Sequence, residues 1–210
     1  IKKPYKNREM LFRQGKNEGK LLAHEGGLLG LVTVSLNPTG SMAMKDNHHP
    51  IFDAGLGSTI NLVVRGLKTG LERNEVNVVY QGKKKLENRP VYVFQGIFPK
   101  RCEGTTYQVK KGESLWDIAK AFNKDMYVIL SNNEGISDPY DLTAGQQILV
   151  PHYYCQKITV YLDVEWGIPL KLLVYDWKGN LYENYEYKQL KINVGLTDKD
   201  FDPDNSDYKF

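Results

Sequence analysis

Outside its middle third the chain is built from short apolar runs that alternate with polar positions and are broken by turn residues. Glu9 to Arg13, Lys20 to His24 and Gly30 to Leu36 read as strands, with the Gly15 to Gly19 turn between the first two. Asn37-Pro38-Thr39-Gly40 supplies a further turn, and small and polar residues then lead to Gly57. From Ser58 to Arg73 the period changes. Ile60, Val63, Val64, Leu67 and Leu71 recur at i, i+3, i+4 and i+7 spacing, so one long helix laid against a sheet is predicted, with Ser58 as its N-cap. Strands resume at Glu75 to Gln81 and Val91 to Phe98, and again at Lys157 to Asp163, Leu170 to Trp177 and Tyr182 to Ile192. Ile158, Val160 and Leu162 alternate with Thr159, Tyr161 and Asp163, as a strand with one buried face requires. The outer parts therefore predict one curved antiparallel sheet interrupted by an insertion.

The insertion changes character. Tyr107 and Val109 begin a strand, Lys111-Gly112 turn it, and Ser114 with Asp117 forms a capping box at the start of a helix whose inward stripe is Leu115, Ile118, Ala119 and Phe122. A second helix, from about Met126 to Ser131, ends at Asn132-Asn133, and Asp141 to Pro151 closes the unit with a last strand. A compact core of Val109, Leu115, Ile118, Ile129, Leu130, Leu142, Ile148 and Val150 is expected. Cys102 and Cys155 bracket the segment almost symmetrically, and a disulfide between them would pin its two ends together. Two unrelated buried thiols are the alternative.

The stretch from Tyr107 to Pro151 resembles a LysM domain. It has the opening Tyr-x-Val-x-x-Gly, the helix start Ser-Leu-Trp-x-Ile-Ala, the Asn at the end of the second helix and the close Leu-x-x-Gly-Gln-x-Ile-x-x-Pro. Glu113 stands where Asp is usual, which keeps the carboxylate and lengthens its reach. The resemblance implies binding of N-acetylglucosamine polymers, mainly peptidoglycan and in some lineages chitin. It places the ligand between two loops, Gly112, Glu113, Ser114 and Leu115 on one side and Gly135, Ile136, Ser137 and Asp138 on the other. Such loops offer backbone groups to an acetamide and a small apolar patch to its methyl. Trp116 reads equally as a stacking face and as packing. A module that has kept the fold and lost the ligand is the plainer alternative.

The run Asn193 to Asn205, together with Ile158 to Asp163, Ile168-Pro169-Leu170, Val174-Tyr175-Asp176 and His49-Pro50-Ile51, resembles an uncharacterised family of exported bacterial proteins. That family looks related to the periplasmic lipoprotein carriers, whose half-barrel sheet and covering helix enclose a greasy cavity. The resemblance implies a concave face able to hold an acyl chain, with Leu11, Leu22, Val32, Val34, Val93, Val160 and Leu172 as candidate lining. An ordinary core uses the same residue types.

Composition adds bounds. The chain has 210 residues, 41% hydrophobic and 25% charged, which is ordinary for a globular protein, and its most apolar run, Gly26 to Leu36, is too short to cross a bilayer. The formal net charge of +3 does not point to nucleic acid. Lys83, Lys84 and Lys85 read as a solvated hairpin tip. No leader pattern is visible, and a mature or a trimmed chain would look the same. Asp198, Asp200, Asp202 and Asp204 lack the Gly and Glu of an EF-hand, with Pro203 and Lys209 in those places. His48 and His49, with His24 and Asp46, do not form a ligand set, because neighbours on an extended segment point apart. Gly55-Leu56-Gly57-Ser58 lacks the spacing and Lys of a phosphate loop, and no nucleophile is paired with a base.

The expectation is an α+β protein: a curved antiparallel half-barrel with a long helix, formed by residues 1–104 and 153–210, with a βααβ LysM module at 105–152. It is expected in the periplasm or cell envelope, with no cofactor, metal or catalytic role. Its expected partner is peptidoglycan or another N-acetylglucosamine polymer, with lipid or lipoprotein acyl chains as the second reading.

Overall fold

A computed structural model describes residues 8–24, 32–45, 47–99, 103–208 and 210. The chain divides into two compact units, residues 1–59 with 191–210 and residues 60–190. In the first, β1 (Glu9–Leu11), β2 (Leu21–His24) and β3 (Thr33–Leu36) form an antiparallel sheet in that order. Leu21 and Ala23 on β2 are buried against Ala43 of α1 (Ser41–Met44), with Met10, Phe12, Leu36 and Ile51 around them. Among the described residues after 190, the chain is irregular except for a short 3-10 turn at Asp198–Phe201, boxed by Thr197 and Asp200.

In the second unit, α2 (Leu56–Glu72), which starts in the first, is followed by β4 (Asn77–Leu86) and β5 (Arg89–Ile97). The insertion comes next, as β6 (Gly104–Gln108), α3 (Leu115–Phe122), α4 (Met126–Ser131) and β7 (Gln147–Pro151). Then follow β8 (Lys157–Asp163), β9 (Pro169–Tyr175) and β10 (Leu181–Glu186). The five-stranded sheet has the order β10-β9-β8-β5-β4, every pair antiparallel. β5 and β8 flank the insertion yet pair directly, from Val91 opposite Asp163 to Ile97 opposite Lys157, so the sheet runs on unbroken across it.

Both faces of this sheet are covered. On one, Ile158, Leu172 and Val174 are buried with Phe98, Tyr153 and Cys155, and Val63 and Leu67 of α2 pack on them. The helix backbone comes close here: a Cβ on Gly70 would meet Val76 Cβ at 2.7 Å. On the other face Val91, Val93 and Leu170 pack with Leu86, Tyr161, Trp166 and Ile168. Asp163 is 1% exposed there and is held by Arg89, whose Nη2 donates to Oδ1 at 2.9 Å and whose Nε bonds Oδ2. The guanidinium also lies 3.5 Å from the Trp166 ring.

Several expectations are corrected. The single sheet expected of the outer parts is divided, because β1 to β3 pair only among themselves and β4, β5 and β8 to β10 form a sheet of their own. Ser58 lies inside α2 rather than before it, since the amide of Thr59 already donates to Gly55. Val64 and Leu71, predicted to face the sheet, are 55% and 56% exposed. Lys83, Lys84 and Lys85 are strand residues of β4, and the hairpin turns at Glu87, which takes the left-handed conformation. One buried face does not describe β8, where Thr159 and Asp163 are buried as well as Ile158.

The candidate acyl lining does not converge. Leu11, Leu22, Val32 and Val34 belong to the first unit, where Val32 is 62% exposed. Val93 points to one face of the five-stranded sheet, and Leu172 with Val160 to the other. Period-two alternation explains the split, since Val93 pairs with Tyr161 and Phe94 pairs with Val160. Leu11 borders a cavity of about 520 Å³ with Met10, Phe12, Ile51, Phe201 and Tyr208. The expected bridge is also absent: Cys155 is a free, buried thiol in the core, and Cys102 lies outside the described residues, as do Asp46 and Lys209.

Candidate functional site

The module folds around Val109, Leu115, Ile118, Ala119, Met126, Ile129, Ile148 and Val150, every one of them nearly inaccessible to solvent. Leu130, Leu142 and Phe122 pack at its margin. Met126 was not foreseen; as the first residue of α4 it gave no periodic signal. β6 and β7 pair from Gly104 opposite Pro151 to Gln108 opposite Gln147, and the amide of Val109 donates to Gln146 at 2.9 Å.

The first loop is tied from within. Gly112 has φ +80, where a side chain would be strained, and the Glu113 amide closes the turn on Lys110 at 3.3 Å. The Glu113 carboxylate turns back, accepting from the Tyr107 hydroxyl at 3.0 Å and from the Lys110 amide at 2.8 Å. The longer reach of Glu is spent inside the turn. Ser114 and Asp117 form the expected capping box, Ser114 Oγ accepting from the Asp117 amide at 3.2 Å while the Asp117 carboxylate takes the Ser114 amide at 2.9 Å. Hydrogen bonds from the Ser114 hydroxyl and amide hold the Asp117 carboxyl below its ordinary value. Leu115 is fully buried.

The second loop hangs from Asn133. Its side-chain amide donates to Ile129 at 2.6 Å and to Leu149 at 2.8 Å, and its oxygen accepts from the Leu149 amide at 2.7 Å. Gly135 follows at φ +93, and Asp138 Oδ1 accepts from the Tyr140 amide at 2.8 Å. One bond joins the two loops: the Leu115 amide donates to the Pro139 carbonyl at 2.8 Å. Sequence reasoning passed over Pro139, although Asp138-Pro139 is a turn signal.

Gly112, Gly135, Ser137 and Asp138 are exposed, Glu113 and Ile136 half-buried, and Ser114 and Leu115 buried. The amides of Glu113, Ser114 and Leu115 are committed within the fold. The first loop can therefore present its Gly112 peptide and its carbonyls, and the second its Ser137 hydroxyl, its backbone and the edge of Ile136. Trp116 is resolved as packing: it is half-buried, meets Tyr127 edge to face at 6.2 Å, and its indole N–H is enclosed. Among the described residues no three His, Cys, Asp or Glu side chains come together as a metal site would require.

The opposite pole of the module is fastened to α2 and to the chain that leaves β7. Asn123, in the left-handed conformation at the end of α3, accepts from Arg65 of α2 through its side chain. Lys124 Nζ donates to the His152 carbonyl at 2.6 Å. Asp125 caps α4 by accepting from the Val128 amide at 3.1 Å, and its charge reaches Tyr154 and Tyr182 of the sheet unit. The loop pole, at the start of α3 and the end of α4, lies at the other end of these helices.

Two family patterns meet on this chain. Residues 2–120 and 142–210 match the family described as "Protein of unknown function (DUF1571)". The chain belongs to the DUF1571 family. Residues 107–151 match the LysM domain. The DUF1571 match passes over α4 and the second loop, which the LysM match alone covers. No curated protein and no solved structure matched the chain. A LysM domain implies binding of N-acetylglucosamine-containing glycans such as peptidoglycan, and such domains occur in proteins associated with cell walls. The matches bring no likeness to the lipoprotein carriers and no support for a lipid partner. No helix of the described residues is long and apolar enough to cross a membrane.

Proposed function

We propose that this member of the DUF1571 family is a non-catalytic protein of the cell envelope, exported to the periplasm or wall. It holds N-acetylglucosamine-containing glycan, peptidoglycan above all, between Gly112–Leu115 and Gly135–Asp138. The observation that carries the reading is the 2.8 Å bond from the Leu115 amide to the Pro139 carbonyl, which sets the two loops edge to edge. A neutral acetamido sugar needs fixed backbone groups beside a small apolar surface, and the loops provide both, with the Glu113 carboxylate turned back onto Tyr107 and Lys110 and Asp138 Oδ1 bonded to the Tyr140 amide. Fastening the module by its far pole leaves the loops open to a polymer too large to enter a cavity.

The test is a titration of the ¹⁵N-labelled full chain with chitin oligomers and muropeptides. Amides of residues 112–115 and 135–138 should shift, and Ser137→Trp, which sets a bulky ring on the second loop at an exposed position, should abolish the shifts and retention on insoluble peptidoglycan. Unmoved amides at about millimolar ligand, a weak limit for a specific site, would refute the assignment.

A further inference from the structure

Glycan binding does not account for the arrangement around His152, the residue directly after β7. Arg73 Nη1, just beyond α2, stands 3.0 Å from His152 Nδ1. A guanidinium only donates and keeps its proton, so Nδ1 must offer a lone pair, and the contact exists only with the imidazole uncharged. The His152 carbonyl takes Lys124 Nζ at 2.6 Å, and its amide donates to the Glu103 carbonyl at 2.7 Å. His152 thus touches the end of α2, the α3–α4 turn of the module and the residue leading into β6. Beside it, Tyr153 meets the imidazole edge to face at 6.4 Å and bonds Glu75 through its hydroxyl.

We propose that His152 is a proton-operated latch: uncharged, it holds the module against the end of α2 through Arg73; protonated, it releases that contact and loosens the α3–α4 turn. A proton on Nδ1 sets two donors against each other and adds a third positive charge beside Arg73 and Lys124. Glu75 and Glu103 are the acids that face the ring, and they offset part of the repulsion. Burial, then Arg73 and Lys124, hold His152 below its ordinary value, and burial with Arg73 and Arg65 does the same to Lys124. Because the released histidine takes up its proton more readily than the latched one, the latch is complete above the ordinary histidine range, about 6.5. It weakens as pH falls through that range to the depressed value. The latch does not depend on what the loops bind.

The experiment follows the His152 imidazole by NMR across pH in the full chain without glycan, together with hydrogen exchange at Asn123 to Tyr127. His152 should titrate below a histidine in an unstructured peptide, and Arg73→Gln should raise its midpoint. Exchange at the turn, corrected for its intrinsic pH dependence, should rise several-fold as His152 protonates. His152→Gln, whose carbonyl can still accept from Arg73 but which never titrates, should keep the turn protected throughout. A midpoint indifferent to Arg73→Gln would overturn the proposal, and so would a pH-dependent loosening that persists in His152→Gln.

Discussion

Replacing Asn133 by alanine removes three hydrogen bonds and strands both main-chain groups of Leu149. β7 pairs on one side with β6, Leu149 lying opposite Thr106, and on its other side the Asn133 amide stands in for a missing strand. Each bond is worth about 1 kcal/mol net, and a partly buried group left without a partner costs about 1–3 kcal/mol. Water can reach some of the vacated space, so the loss should be about 2–4 kcal/mol, against about 5–15 kcal/mol for a whole domain. Asn133→Asp is the sharper test. It keeps the acceptor for the Leu149 amide but sets a carboxylate against the carbonyls of Ile129 and Leu149, where the amide donated at 2.6 and 2.8 Å. At neutral pH it should destabilise at least as much as alanine, and in acid, where a carboxylic acid regains a donor, part of the loss should return. Urea unfolding of the full chain, read by tryptophan fluorescence at both pH values, measures this. An Asn133→Asp protein as stable as the parent at neutral pH would show that the amide does not hold the loop as described.

Further outcomes follow from the same geometry. Ser114→Ala should cost about 1 kcal/mol as a lost helix cap. Because Asp117 is held below its ordinary value, the capping box stabilises above the carboxylate range and fades as pH falls through it, so the mutant's acid unfolding curve should be flatter. Tyr107→Phe frees the Glu113 carboxylate from one partner and should weaken glycan retention more than it lowers the unfolding midpoint. Arg89→Ala leaves the buried Asp163 without its cation and should cost about 2–4 kcal/mol at neutral pH. Arg89 and the backbone hold that carboxyl down at about 2, so the penalty should shrink as pH falls through the ordinary carboxylate range toward that value. Burial pushes the Cys155 thiol up to about 12, so a thiol reagent should reach it in the folded chain only as fast as the core opens.

What the sequence disclosed depended on how local the signal was. The module's capping box and most of its core were readable because each rests on residues a few positions apart, as with Ser114 and Asp117, while its first strand was placed late, since β6 runs from Gly104 to Gln108. β8 was readable to the residue for the same reason. Partition of the outer strands was not, since nothing local tells β3 that it will pair with β2 and stay apart from β4. The acyl lining failed because a list of apolar residues carries no facing information until register is known, and register put Val93 and Leu172 on opposite sides. Lys83 to Lys85 misled because a charged run reads as a turn, while an edge strand carries lysine equally well. The contacts that hold the site were hardest to foresee: Leu115 to Pro139, Asn133 to Leu149 and Arg73 to His152 join residues far apart in sequence.

The placement of the insertion links these features into one argument. Because β5 and β8 pair directly, the module leaves and rejoins the sheet at adjacent strands, and its ends are fixed without a disulfide. The contacts at Asn123, Lys124 and His152 then set the bearing of the module within its unit. They grip the pole of the helices away from Gly112 and Gly135, so the loops gain a fixed bearing and lose none of their surface. If these contacts were only incidental packing, removing Arg65 and Lys124 together would leave the module's orientation to the sheet unchanged. Residual dipolar couplings measured on both parts should instead show the double variant Arg65→Ala, Lys124→Ala reorienting more freely. The couplings within the module should stay mutually consistent, because its core from Val109 to Val150 closes on itself.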